Sequence, residues 1–174
     1  MSAFSYVLNE EASLLFVDDD PILREFAQVN LSSAKATVDV AADGIEALEA
    51  LATRRYDLLL VDLEMPRMDG FQLLERLRSD PATSRLPVVV VTGREDVEAI
   101  DRAFRSDATS FVSKPLNWRL LAYQLRFVLR ASRAEARLDQ IGDSRPGRPK
   151  GDAGSAVPDL IQPRLGSRSS QHET

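Results

Sequence analysis

Residues 56–70 read YDLLLVDLEMPRMDG. Four aliphatics in a row, Leu58 to Val61, carry no polar alternation and are too few for a core helix, which is the signature of a strand buried on both faces. The run ends on a carboxylate, Asp62, and is followed by Pro66 and the turn-forming pair Asp69-Gly70 ahead of a new helical pattern. A strand buried on both faces needs covering layers on both sides. That requirement selects a sheet sandwiched between helices.

Working outward, similar runs alternate with helical patterns along the chain. Short Val- and Leu-rich segments bounded by Asp, Gly or Pro predict strands near 13–17, 36–41, 57–61, 86–91 and 108–112. The intervening periodicity predicts helices near 21–33, 44–54, 70–79, 95–105 and 116–138. Five strand–helix units in succession imply a parallel α/β sheet wound on both faces, because each parallel crossover needs a helix and is right-handed. Asp20 before Pro21 reads as a helix cap followed by proline at the first helical position.

In an open parallel sheet, residues that end separate strands converge in one cleft. Here the strand ends carry Asp18, Asp19, Asp62, Thr92 and Lys114. Three carboxylates in one place repel by about 4 kcal/mol per pair at about 4 Å and an effective dielectric near 20. A divalent cation relieves that repulsion. An all-oxygen donor set favours Mg²⁺ over zinc or copper.

Size and composition bound the rest. With 174 residues, 44% of them hydrophobic, the chain buries one core. It contains no cysteine, which excludes disulfides and thiol chemistry and fits a cytoplasmic location. The longest aliphatic runs, LLLV and VVVV, are far too short to span a bilayer, so no membrane partner is expected. A net charge of -5 leads to the expectation of no nucleic-acid partner, since non-specific binding depends on clustered Lys and Arg. We expect one domain over residues 12–138 with an extended last helix, and a disordered Gly/Pro/Ser-rich tail over 139–174.

The stretches LLFVDDDP, YDLLLVDLEMPRMDG, VVVVTGRE and TSFVSKP together resemble the receiver domain of two-component response regulators, in the family's order and spacing over about residues 12 to 138. The resemblance implies a doubly wound five-stranded parallel sheet with flavodoxin-like order 2-1-3-4-5. It implies that Asp62 is the phosphoacceptor, taking a phosphoryl group from a histidine kinase or a histidine phosphotransfer protein. Asp18, Asp19 and Asp62 would hold Mg²⁺ with the backbone carbonyl of Glu64. Lys114 would contact a phosphoryl oxygen, and Lys114-Pro115 would be a cis peptide. Thr92 and Phe111 would form the switch. The family's downstream protein target, or a homodimer, would use the 95–138 face, and the closing helix resembles the junction that precedes diguanylate cyclase output domains.

The same residues admit other readings. Taken singly, an Asp after a strand is usually a cap, and Phe111 in a strand is more often core than switch. Haloacid-dehalogenase-type phosphatases also join a strand-end Asp, Mg²⁺ and Lys, but their nucleophile lies near the first strand with a second Asp two residues on. Here that position is Glu64, on the third strand. A vestigial binding module is disfavoured because all five family positions are filled. Glu64 and Arg94, each two residues beyond a strand end, are expected to face each other and pair.

Overall fold

The computed structural model describes residues 8–93 and 97–143 of the chain. Its strands are β1 (Ala12–Val17), β2 (Ala36–Ala41), β3 (Leu58–Asp62), β4 (Val88–Thr92) and β5 (Ser110–Ser113). The helices between and after them are α1 (Pro21–Leu31), α2 (Gly44–Thr53), α3 (Gly70–Ser79), α4 (Val97–Arg105) and α5 (Trp118–Asp143). All strand pairs are parallel and the order is β2-β1-β3-β4-β5. This is the flavodoxin-like order that the resemblance implied.

The pleat sorts successive residues of one strand to opposite layers. Leu14, Phe16, Leu58, Leu60, Val89 and Val91 pack towards Ala27 and Leu31 of α1 and Leu121 and Leu125 of α5. Leu15, Val17, Leu59, Val61, Val88 and Val90 pack towards Ala47 of α2, Leu73, Leu74 and Leu77 of α3, and Ala103 of α4. Every residue of β3 and β4 is buried. Each fully buried Leu or Val contributes about 1.5–3 kcal/mol relative to exposure, so the central strands anchor the residues that follow them.

Boundaries depart from the sequence reading where backbone chemistry intervenes. Leu86 and Pro87 stay outside β4, Leu86 N–H being held in a turn by Thr83 O at 2.9 Å and proline having no N–H to offer. Ala108 and Thr109 stay outside β5 because Asp107 takes φ 66° and the Ala108 N–H returns to Ala103 O at 3.0 Å, closing the end of α4. α5 begins at Trp118, after Asn117 caps it by accepting from Leu120 N at 3.1 Å, and continues to Asp143. Asp20 caps α1, accepting from Ile22 N at 2.8 Å. Residues 144–174, which hold most of the expected tail, lie outside the described residues. None of the described helices is long and apolar enough to cross a membrane.

Candidate functional site

Register brings the strand ends together. Val17 lies beside Val61, so Asp18 leaves β1 next to Asp62, and Thr92 lies beside Ser113, so Lys114 leaves β5 next to β4. Lys114 N–H donates to Thr92 O at 2.8 Å, which fixes the start of the Lys114-Pro115 segment, and that peptide bond is cis. Asp18, Asp62 and Thr92 are buried, whereas Asp19 is exposed at the mouth.

One carboxylate oxygen from each of Asp18, Asp19 and Asp62 lies within 4.8 Å of the other two. The Lys114 ammonium donates to Oδ2 of Asp62 at 2.8 Å and forms an ion pair of the same length with Oδ2 of Asp18. That Asp18 oxygen is fully buried, and the ammonium is the one partner it has among the described residues. The other Asp18 oxygen accepts from Asp20 N at 2.9 Å, and Arg24 of α1 donates to Asp18 O at 2.7 Å. Burial holds the Asp62 carboxyl above its usual range, and the nearby Asp18 charge adds to this against the help of Lys114 and the Glu64 N–H. Burial pulls Lys114 downward, but its two carboxylate partners outweigh that and hold it above the usual lysine value. Both shifts run upward, disfavouring the charged form of Asp62 and favouring that of Lys114, because one ammonium serves two carboxylates.

Such a cluster fits a hard divalent cation. The donors are all oxygen, two of the three carboxylates are buried, and both buried ones share a single ammonium.

The loop from Asp62 to Gly70 is built to approach the site closely. Asp62 Oδ1 accepts from Glu64 N at 3.2 Å, and Gly70 N donates back to Leu63 O at 3.1 Å. A Cβ on Gly70 would stand 2.2 Å from Asp62 O and 2.8 Å from Leu63 Cα, so only glycine fits where α3 meets the acceptor strand. Asp69 caps α3 in a capping box with Gln72, by bonds of 2.8 and 3.1 Å.

Sequence reasoning named Asp18, Asp19, Asp62, Glu64, Thr92 and Lys114, and the structure gathers the five side chains of that set other than Glu64, whose backbone N–H bonds Asp62, at one end of the sheet. Phe111 is part exposed on β5 and meets Phe104 of α4 edge to face, with centroids 5.9 Å apart. Arg94 lies outside the described residues, and with it the expected pairing with Glu64. Missed at the sequence level were Gly70 and the pair formed by Arg67 and Asp43, which are 24 residues apart and announced by no local pattern. The Gly that follows Asp62 by eight positions was readable as a turn, but not as a packing constraint.

Comparisons with known proteins bear on this geometry. A family model described as response regulator receiver domain matches residues 14–126. The response regulator MprA of Mycobacterium ulcerans is 37% identical over 131 residues, covering 75% of this chain and 55% of the relative. The DNA-binding dual master transcriptional regulator RpaA of Synechocystis sp. is 32% identical over 117 residues, covering 67% of this chain and 48% of the relative. The solved structure of the chemotaxis response regulator CheY4 of Vibrio cholerae matches with a TM-score of 0.64 and 31% identity, over 67% of this chain and 98% of that one. The chain therefore spans about half the length of the curated relatives it matches.

One expectation is corrected here. Nucleic acid was excluded on the net charge of -5, yet RpaA is by name DNA-binding. Charge on a receiver is no guide to the targets of the system it serves, because only about half of that relative's length is matched. By its motifs, its sheet order and the match over residues 14–126, this chain belongs to the response regulator receiver domain family, a module of two-component signalling.

Proposed function

We propose that Asp62 is the phosphoacceptor of this receiver and that its donor is the phosphohistidine of a histidine kinase or phosphotransfer protein. The observation that carries this reading is the juxtaposition at the end of β3: a buried carboxylate, two acidic neighbours within 4.8 Å and an ammonium at 2.8 Å. An oxygen of Asp62 attacks phosphorus, the P–N bond breaks, and the imidazole nitrogen keeps the electron pair and takes a proton from solvent. Asp18, Asp19, Asp62 and the Glu64 carbonyl would hold Mg²⁺, which would offset charge on the transferring oxygens. Lys114 is released from its carboxylate partners to meet a phosphoryl oxygen, and Thr92, buried at the end of β4, supplies a hydroxyl to the same group. Phe111 then follows Thr92 inward, breaking its edge contact with Phe104.

On this reading the protein is modified stoichiometrically and turns over no substrate of its own. The name of RpaA supports an output in transcription control through a DNA-binding module, and the protein acts in the cytoplasm on this reading. Incubation with a small phosphodonor and Mg²⁺, followed by intact mass, tests the core of it. One phosphate adduct on the wild type and none on Asp62→Asn is expected. Equal modification of the variant, or continuous release of phosphate from monoesters, would refute it.

A further inference from the structure

Resting on that reading, we propose that Arg67 is a positioning residue for the cation: its pairing with buried Asp43 fixes the β3–α3 loop, and so sets how well the Glu64 carbonyl and Asp62 grip Mg²⁺. The argument starts from backbone cost. Arg67 has φ 64°, and Met68 N donates to Pro66 O at 2.7 Å, so Arg67 is the centre of a three-residue turn in the left-handed region that side chains rarely adopt. A strained turn persists only when its surroundings over-determine it.

The surroundings here are electrostatic. The Arg67 guanidinium binds Oδ2 of Asp43 and reaches Glu46 Oε1 at 3.5 Å. Asp43 is 2% exposed, and its other oxygen caps α2 by accepting from Ile45 N at 2.9 Å and Glu46 N at 3.0 Å. Burial alone would raise the Asp43 carboxyl, yet these N–H groups and Arg67 hold it below its usual range. The loop is stapled a second time where Gly44 N donates to Met68 O at 3.1 Å. Both staples grip residues 67 and 68, while the far side of the same loop carries the Asp62 oxygen that accepts from Glu64 N. Arg67 touches neither reacting group. It acts through the loop, as the outer partners of metal ligands do.

Calorimetric titration of the full chain with MgCl₂ alone tests this without a phosphodonor, with circular dichroism on each sample to verify folding. Arg67→Gly removes the pair but relieves the strained φ, Asp43→Asn keeps a capping side chain but removes the charge, and Arg67→Lys keeps the charge. We expect Arg67→Gly and Asp43→Asn each to weaken Mg²⁺ about ten-fold, the lower end for outer partners of metal ligands, with Arg67→Lys weaker by less and the double variant no worse than either single one. Should Arg67→Gly not fold, Asp43→Asn decides alone. Folded variants that bind Mg²⁺ within about two-fold of wild type, the effect of an ordinary surface pair, or Arg67→Gly binding more tightly, would overturn the proposal while leaving the phosphoacceptor reading intact. Wild type that takes up no Mg²⁺ would overturn both.

Discussion

The ammonium of Lys114 donates to Oδ2 of Asp62 across 2.8 Å, joining a residue at the end of β3 to one that follows β5, 52 positions later. The same ammonium also serves Asp18, so among the described residues two buried carboxylates share one ammonium, with the exposed Asp19 beside them. The deficit is what a divalent cation would fill, and it has consequences for stability that can be measured before any phosphoryl chemistry.

Asp62→Asn should raise the thermal midpoint of the metal-free protein near neutral pH. The Asp62 carboxyl lies above its usual range chiefly through burial, so its contribution to stability is fully present below the ordinary carboxylate pKa and is lost as pH rises through the raised value. At neutral pH the ionised group is a cost that asparagine removes. The advantage of the variant should shrink as pH falls towards about 4 and when Mg²⁺ is added. A variant less stable than wild type at neutral pH would contradict the sign.

Lys114→Ala should act in the opposite sense. Removing one partner of a buried ion pair costs about 3–5 kcal/mol, but the Lys114 side chain is 24% exposed and partly screened, so about 2 kcal/mol is expected. Mg²⁺ should then stabilise the variant more than the wild type, since it replaces the missing charge. Denaturant unfolding with and without the metal measures both effects. Equal Mg²⁺ increments in the two proteins would argue against a shared electrostatic role.

How much of this was readable in the sequence depends on whether the cause was local. β3 and β4 were legible because burial on both faces writes an unbroken aliphatic run, and Asp18, Asp62 and Thr92 were legible because each ends or directly follows such a run. Asp20 was legible as a cap, and Asp69-Gly70 as a turn feeding a helix, because both are decided within four residues. By contrast, β5 is an edge strand with alternating exposure, and its start was displaced by the turn at Asp107, whose carbonyl is held by Arg78 at 2.8 and 3.0 Å from 29 residues away. Exposure of Phe111 was equally hidden, because it depends on which element covers the edge. Long-range pairs write no local pattern.

Three glycines give a graded test of packing around the site. At Gly70 an added Cβ meets immovable backbone at 2.2 Å, at Gly44 it meets the flexible end of Met68 at 2.5 Å, and at Gly93 it meets nothing within 4 Å. Gly70→Ala should therefore cost about 3 kcal/mol or more, Gly44→Ala about 1 kcal/mol, and Gly93→Ala close to nothing, following the usual cost of overpacking. Urea titration ranks them. Gly70→Ala as mild as Gly93→Ala would mean that α3 does not approach β3 as closely as described.

Phe104 and Phe111 meet edge to face at 89°, both part exposed. A double-mutant cycle with alanine should find a coupling of about 0.5 kcal/mol, the low end for aromatic pairs. If Phe111 moves inward with Thr92, that coupling should vanish when a phosphoryl mimic such as beryllofluoride is bound with Mg²⁺. A coupling unchanged by the mimic would remove Phe111 from the switch.

Alkaline titration probes the opposite end of the sheet. Tyr56 donates to Asp39 Oδ2 at 2.7 Å, beside Arg54, which bonds the same oxygen at 2.8 Å. Burial first, and then the Asp39 carboxylate, push the Tyr56 hydroxyl up to about 12, against some relief from Arg54. The folded value exceeds the unfolded one, so the stability contributed by this hydroxyl is fully present below about pH 10, the ordinary tyrosine value, and is lost as pH rises through the raised value. Phenolate absorbance should show one component ionising late, and Tyr56→Phe should remove that component. The same variant should lose about 1 kcal/mol at neutral pH, where the hydrogen bond to a charged acceptor is intact, and less above pH 12. Normal ionisation of every tyrosine near pH 10 would show that the Asp39 bond does not form in solution.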